Sequence, residues 1–156
     1  MISPEIIARY FSLNHRIIHR QIEGLTHEDS LRQLPFRGNC LNWVLGHIAA
    51  NRNRALTLLG EDPVWSEEEA ARYVSDSDPV MGQESAYPFE EIVAALDRSQ
   101  ERLEGALNHV TEADLAQVEG ERTVGERLAG LYWHEAYHTG QTEYLRQLTG
   151  KDDKVV

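Results

Sequence analysis

Apolar residues recur at steps of three and four positions in four separate segments of this 156-residue chain. Such spacing is typical of amphipathic helices, and no segment alternates convincingly between apolar and polar residues as a half-buried strand would. The segments cover about 4–24, 39–60, 88–108 and 123–149. Ser3 is placed to cap the first segment and Asn39 the second, while Thr123 and Glu126 match a capping box at the start of the fourth. The sequence therefore predicts an all-α protein.

The connections between these segments differ in length. Residues 61–87 include Pro63, Pro79 and Gly82, and they form a stretch too long for a tight helical hairpin. Ser66 followed by Glu69 predicts one short helix within it. We therefore predict a four-helix bundle with a long crossover between the second and third helices. This bundle forms a single domain over residues 1–150, followed by a tail at 151–156.

Charge and composition exclude several classes of function. Acidic residues outnumber basic ones by 26 to 15, and the resulting net charge of −11 disfavours nucleic-acid partners and anionic membrane surfaces. No apolar run approaches the roughly 20 residues that span a bilayer, and residues 1–5 do not begin a signal peptide. Cys40 is the single cysteine, so no internal disulfide and no Cys-based zinc finger can form. We expect a cytoplasmic protein.

Two histidines and a glutamine interrupt the core-facing stripe of the fourth helix. His134, His138 and Gln141 share the spacing of Leu131 and Leu145, which places them on the buried face. A buried polar group without a partner costs roughly 1–3 kcal/mol, so three in one stripe need a common explanation. The two histidines are four residues apart, and both rings can reach one metal ion at about 2.0–2.1 Å.

A third metal ligand has to come from another helix. His47 is the best candidate, because it lies among Val44, Leu45 and Ile48 in the second helix. Three neutral histidines would leave coordination positions open, as catalytic metal sites do. Each histidine could also be an ordinary core residue that is bonded to a carbonyl or to water.

A second histidine pair serves as a control for this hypothesis. His15 and His19 have the same spacing on the first helix, but they align with Ala8, Ser12 and Glu23 on a mostly polar face. We expect both to face solvent. Spacing alone is therefore weak support for a metal site, and the apolar surroundings of the pair in the fourth helix carry the argument.

Other residues near the proposed site have several possible roles. Glu135 could be a catalytic base, a partner behind the metal ligands or one half of a salt bridge between helices. Asn14, Asn51 and Gln141 are candidates for lining a pocket. Trp43 and Trp133 are interpreted as packing residues rather than as substrate platforms.

Residues 134–138 also match the H-E-x-x-H motif of zinc metallopeptidases, in which Glu135 would activate water. Such enzymes usually take a third ligand downstream of the motif. Glu143 lies on another face of the same helix, and Asp152 and Asp153 lie beyond the predicted helix end. The sequence also lacks a strand that could bind an extended peptide. A peptidase is therefore the least favoured hypothesis.

Two segments carry a resemblance to a known family. Residues 42–49, NWVLGHIA, resemble a W-x-L-x-H-[IL] motif in a second helix, and residues 134–141, HEAYHTGQ, resemble an H-x-x-x-H-x-G-Q motif in a fourth. Together and in this order, they resemble the DinB/YfiT-like family of metal-dependent enzymes. The resemblance covers nearly the whole chain.

The resemblance implies a four-helix bundle that holds a divalent ion, zinc or nickel, through His47, His134 and His138. It also implies a small-molecule substrate, and homodimers are frequent among relatives. Some relatives are S-transferases that use low-molecular-weight thiols such as bacillithiol or mycothiol, in which a metal would lower the pKa of the thiol; a hydrolase would use the metal to activate water. We therefore predict a thiol-dependent S-transferase or a hydrolase, with a non-enzymatic metal- or ligand-binding bundle as the alternative.

Overall fold

The computed structural model describes residues 3–151 and residue 153. This part of the chain is predominantly helical, so the prediction of an all-α protein is confirmed, and a short hairpin that the sequence did not predict is added to it. The elements in chain order are α1 (Pro4–Ile22), α2 (His27–Ser30), α3 (Leu41–Leu58), α4 (Glu67–Ala71), a 3-10 turn (Gln83–Ser85), α5 (Phe89–Leu107), α6 (Glu112–Leu115), β1 (Val118–Glu119), β2 (Arg122–Thr123) and α7 (Val124–Gln147).

Capping residues explain where two of the four long helices begin. The Ser3 side chain accepts a hydrogen bond from the first turn of α1, and Thr123 and Glu126 form the predicted capping box of α7. The prediction that Asn39 caps the second helix is wrong. Cys40 occupies that position in α3 without a side-chain cap, because it is buried with its thiol directed at the Val80 carbonyl. The start of α3 is thus anchored in the core rather than capped.

The four long helices form a bundle in which α1 packs against α5 and α7, and α3 packs against the same two helices. Asn42 at the start of α3 donates to the Tyr87 carbonyl just before α5, and Arg52 further along α3 donates to the Leu96 carbonyl within α5. The helices α3 and α5 therefore run in the same direction. Residues 59–88 consequently return along the length of the bundle before α5 begins.

This return connection passes over α3 at a glycine. The ring of Tyr73 is fully buried against Gly46, where a Cβ atom would lie only 2.4 Å from the ring. The Tyr73 hydroxyl donates to Asn42 Oδ1 at 2.8 Å and accepts the Tyr87 amide at 2.9 Å. These bonds hold the Tyr73 backbone directly above α3.

Buried polar residues divide the core of the bundle into two apolar clusters. One cluster contains residues such as Ile18, Leu45 and Leu96, and the other contains residues such as Phe11 and Leu128. Between them, each long helix contributes a buried polar side chain, namely Asn14, Arg52, Ser99 and Glu135. No helix in the described part of the chain is both long and apolar enough to cross a bilayer.

The end of α7 is fastened to the end of α1. Arg146 is buried and donates to the carbonyls of Gln21 and Glu23, and it also pairs with Asp153. Lys151 donates to the Gly24 carbonyl. The predicted tail at 151–156 otherwise lies outside the described residues.

Candidate metal centre

Three imidazole rings converge between α3 and α7. Within the cluster formed by His47, His134 and His138, the candidate ligand atoms all lie within 4.8 Å of one another. The Nε2 atoms of His47 and His134 are 3.1 Å apart. Two nitrogens that bind one ion at about 2.0–2.1 Å are about 2.9 Å apart at a right angle and about 3.4 Å apart at the tetrahedral angle. The observed separation lies between these values, so one ion fits between His47 and His134, and His138 lies close enough to complete the group.

Two of the histidines are held in the tautomer that a metal ligand needs. His47 Nδ1 lies 2.6 Å from the Tyr73 carbonyl oxygen, and His138 Nδ1 lies 2.8 Å from Gln141 Oε1. Both oxygens only accept hydrogen bonds, so each Nδ1 carries the proton. The lone pair of each ring is then on Nε2, directed into the cluster.

The third histidine is short of hydrogen-bond partners. Within the described chain no group bonds to the buried Nδ1 of His134. Its Nε2 faces the lone pair of His47 Nε2 at 3.1 Å, a contact that is favourable only when a proton or a cation lies between the two nitrogens. The donor set therefore fits a divalent ion.

Burial keeps all three rings in the neutral form. It is the main cause that lowers the pKa of His47, of His134 and of His138, whose pKa falls to about 4. The Arg54 guanidinium lowers the pKa of His47 and His134 further. Because metals bind neutral imidazole, these side chains are ready to ligate near pH 7 without first losing a proton.

Neighbouring side chains fix the orientation of the cluster. Trp43 stacks on His47 with ring centroids 4.6 Å apart, and its Nε1 donates to Ser77 Oγ. Trp43 is buried, as the sequence indicated. Asn51 donates to the His47 carbonyl at 2.9 Å and reaches the edge of the cluster, 3.3 Å from His47 Nε2.

An open cavity of about 660 Å³ adjoins the cluster at His134. Asn51 and Trp133 also line it, and Trp133 is 68% exposed, which corrects its interpretation as a packing residue. The physical reason is that this residue lies on the face of α7 opposite the core. The charged side chains in the wall are Arg54, Glu119, Glu121, Arg122 and Arg127.

One of these arginines is already neutralised, because Arg127 forms an ion pair with Glu119. Arg54 donates to Asn51 Oδ1 and otherwise faces the cavity, whose wall also contains Arg122 from the hairpin. With Glu121 counted as well, three arginines and two glutamates give the wall a net charge of +1, beside the histidines in a chain whose net charge is −11. Sequence spacing gave no indication of these arginines, since they come from different elements.

Glu135 lies in the buried polar layer rather than in the cavity wall. Its two carboxylate oxygens accept hydrogen bonds from Nε and Nη2 of Arg52, each at 2.8 Å. Of the three roles that the sequence left open, the structure supplies the salt bridge between helices. A catalytic role for Glu135 stays a prediction.

The three predicted pocket residues have different positions. Asn51 lines the cavity, and Gln141 supports His138 from behind. Asn14 is buried on α1 and does not line the cavity beside His134. Sequence reasoning missed Tyr73, although Gly46 inside an apolar helix was a visible sign that another group packs closely there.

The prediction that His15 and His19 face solvent is wrong for His15, whose side chain is only 17% exposed. The face that looked polar packs against α5, which brings Asp97 to both rings. The Asp97 carboxylate on α5 therefore gives the two histidines on this face of α1 a polar partner.

The helical bundle and its three converging imidazoles define an all-α protein with a candidate mononuclear metal centre. The model of the DinB superfamily matches residues 10–142, which is most of the chain, and the chain belongs to that superfamily. Its fold is similar to the crystal structure of a conserved protein from Enterococcus faecalis, with a TM-score of 0.74, 18% identity, and coverage of 97% of this chain and 99% of that chain. No curated protein matches the chain significantly.

Proposed function

We propose that this protein is a metal-dependent enzyme that acts on a small anionic molecule. His47, His134 and His138 would hold one divalent ion through their Nε2 atoms. The observation that carries the proposal is the convergence of three neutral imidazoles beside an open cavity, with two of their Nδ1 atoms already bonded. Three protein ligands leave coordination positions for a substrate, as catalytic sites do and closed structural sites do not.

The residues around the cluster support such a role. The Tyr73 carbonyl and Gln141 orient two ligands, and Trp43 covers one face of His47. When bound, the ion would supply a Lewis acid that lowers the pKa of a thiol or of water. Imidazole ligands suit both zinc and nickel.

The cavity favours a small anionic substrate. Its volume of about 660 Å³ lies within the range of about 300–1,000 Å³ that is common for small-molecule sites. Arg54 and Arg122 would bind a carboxylate or phosphate of the substrate. We propose a thiol-dependent S-transferase with a low-molecular-weight thiol as cosubstrate, and a hydrolase as the second candidate. The metallopeptidase is not carried forward, because Arg52 holds both oxygens of Glu135.

Metal analysis tests the site. Purified protein that is stripped with a chelator and reloaded at low free Zn²⁺ or Ni²⁺ should hold one tightly bound ion per chain. His47→Ala should weaken this binding by at least about a hundredfold, whereas His109→Ala, at an exposed histidine, should leave it unchanged. Tight stoichiometric binding that survives in His47→Ala would contradict the proposal.

Activity assays separate the candidate reactions. The metal-loaded protein is offered an electrophile with a panel of thiols, and separately a panel of small esters and amides. Turnover that requires a thiol supports the S-transferase, and turnover without a thiol supports the hydrolase. Tight metal binding without turnover in either panel favours a non-enzymatic metal-binding bundle.

We also propose that the protein is a homodimer, as the family resemblance implies. Trp133, Tyr137 and Tyr144 form an exposed aromatic face on α7, and this face is available for a second copy. Analytical ultracentrifugation should show a dimer that Tyr137→Glu dissociates. A monomer at all accessible concentrations would contradict this proposal. A cytoplasmic location stays an expectation.

A further inference from the structure

We propose a second metal site, formed by His15 and His19 of α1 and Asp97 of α5. It lies between α1 and α5, whereas the first cluster lies between α3 and α7, on the other side of the bundle. This inference does not depend on the proposed enzyme function, because the two clusters share no residue.

The geometry of the three side chains is that of ligands around a common point. The Nε2 atoms of His15 and His19 lie 3.2 Å and 2.6 Å from the same atom, Asp97 Oδ1. Their ring centroids are 4.5 Å apart, as expected for histidines one helical turn apart. Ligand atoms at about 2.0–2.2 Å from one ion lie about 3 Å apart when they are adjacent in its coordination sphere. The separation of 3.2 Å is close to this value, whereas the separation of 2.6 Å is that of a hydrogen bond, so His19 and Asp97 would move apart by a few tenths of an ångström to admit an ion.

Simple hydrogen bonding is the competing explanation, in which both Nε2–H groups donate to Asp97. The neighbours of His15 do not enforce this arrangement. Arg52 Nη1 lies 3.5 Å from His15 Nδ1, but it makes shorter bonds to the Leu96 carbonyl at 3.0 Å and to Ser99 Oγ at 3.2 Å. The contact with His15 Nδ1 is thus the longest of the three that Nη1 makes. On binding an ion, the His15 ring would carry its proton on Nδ1, give up this long contact with Arg52 and turn its Nε2 lone pair to the metal.

The surroundings keep the His15 ring neutral and leave the cluster accessible to an ion. Burial, with help from Arg52, lowers the pKa of His15 to about 4 and keeps its ring neutral. His19 and Asp97 line a surface cavity of about 650 Å³, so an ion can enter and retain water ligands. Two imidazoles and one carboxylate suit a borderline divalent ion such as Zn²⁺, Ni²⁺ or Co²⁺. A bound ion would clamp α1 to α5.

A variant without the first cluster isolates this site. In His134→Ala/His138→Ala, calorimetric titration with Zn²⁺ at neutral pH should show one ion per chain with micromolar affinity. Adding Asp97→Asn or His19→Ala should weaken this binding at least tenfold, since each removes a ligand. Adding His109→Ala, an exposed histidine outside both clusters, should change nothing.

Thermal unfolding gives a second test of this site, made on protein in which the first cluster is intact. Zn²⁺ at about a hundredfold excess over the dissociation constant should raise the thermal midpoint of the wild type by roughly 5–10 °C more than that of Asp97→Asn. The side chain of Asp97 is 43% exposed and that of His19 is 41% exposed, so both variants should fold.

Two results would overturn the second site. One is the absence of zinc binding up to millimolar concentration in a folded His134→Ala/His138→Ala variant. The other is equal zinc affinity with and without Asp97→Asn. If the double variant does not fold, a Zn²⁺ stoichiometry in the wild type that equals that of Asp97→Asn also overturns it.

Discussion

The ion pair between Arg52 and Glu135 shows how much depends on single residues in the polar layer. Both side chains are almost completely buried, and Arg52 also donates to the Leu96 carbonyl and to Ser99. A buried pair of this kind gains little over apolar residues of similar volume, but losing one partner leaves an uncompensated charge. The pair therefore restricts which substitutions are tolerated at positions 52 and 135 more than it stabilises the fold.

We predict that Glu135→Ala lowers the free energy of unfolding by about 3–5 kcal/mol, because it leaves the buried charge of Arg52 without a partner. Arg52→Met combined with Glu135→Leu should recover most of that loss. Urea denaturation measures both variants. A loss below about 1 kcal/mol in Glu135→Ala would show that water reaches the pair. If Glu135 is instead a catalytic base, Glu135→Gln should abolish turnover in protein that is still folded and metal-loaded.

Gln141 is the residue whose effect on the metal can be tested most cleanly. Its Oε1 accepts a hydrogen bond from His138 Nδ1 and so fixes the tautomer of that ligand. We predict that Gln141→Ala weakens Zn²⁺ binding at the three-histidine cluster by about 10–100-fold, as is typical for groups that orient metal ligands. Competition with a chromophoric chelator measures the affinity.

The matched control for Gln141→Ala is Gln147→Ala, which changes an exposed glutamine on the same helix. This variant should bind zinc as the wild type does. Gln141→Glu should retain most of the affinity, since a carboxylate also accepts a hydrogen bond from His138 Nδ1. Equal affinities in Gln141→Ala and the wild type would count against the assigned orientation of His138.

At the level of secondary-structure elements, the return connection between α3 and α5 supplies the backbone carbonyl that orients the metal ligand His47. Gly46 permits the ring of Tyr73 to contact α3, and the carbonyl of the same tyrosine accepts a hydrogen bond from His47 Nδ1. A side chain at position 46 would therefore disturb both the packing and the metal cluster.

We predict that Gly46→Ala lowers the free energy of unfolding by about 1–3 kcal/mol through overpacking and also weakens zinc binding. The added methyl group would lie 2.4 Å from the ring of the fully buried Tyr73, which has no free space to move into. Gly105→Ala is the control, because a Cβ there meets nothing within 4 Å. It should stabilise α5 by about 0.5–1 kcal/mol. Denaturation and zinc titration of both variants provide the comparison.

The sequence predicted the long helices well because each has an apolar stripe with local start and stop signals. His47, His134 and His138 could be proposed for the same reason, since helical spacing and apolar neighbours are local properties. The partners of these residues were not predictable in this way. Tyr73 and Asp97 come from distant segments, and their contacts depend on which helices become neighbours and on how the return connection is routed.

The whole molecule should respond to acid through its buried histidines. Burial lowers the pKa of both His15 and His138 from 6.5 to about 4. As the pH falls, the unfolded chain takes up protons on these rings first, so unfolding becomes more favourable. The corresponding stability is fully present above about pH 6.5 and is lost progressively down to about pH 4.

We predict that the metal-free protein loses stability between pH 6.5 and pH 4 by at most about 3 kcal/mol per histidine. Urea midpoints measured across this range test the prediction. His138→Gln should flatten the dependence, whereas His109→Ala should not. The capping carboxylates Asp29, Glu69, Asp114 and Glu126 have lowered pKa values, so their effect belongs to more acidic conditions. A stability that is constant down to pH 4.5 would contradict the assignment.

The hydrogen bond between His47 and the Tyr73 carbonyl also has a consequence for the kinetics of folding and unfolding. This support joins residues 26 positions apart, and the complete cluster further requires α7 to dock against α3. A chain that is still folding would lack this arrangement until its long-range contacts close. Zinc bound by the complete cluster would then slow unfolding and prolong the lifetime of the native state, without speeding up folding.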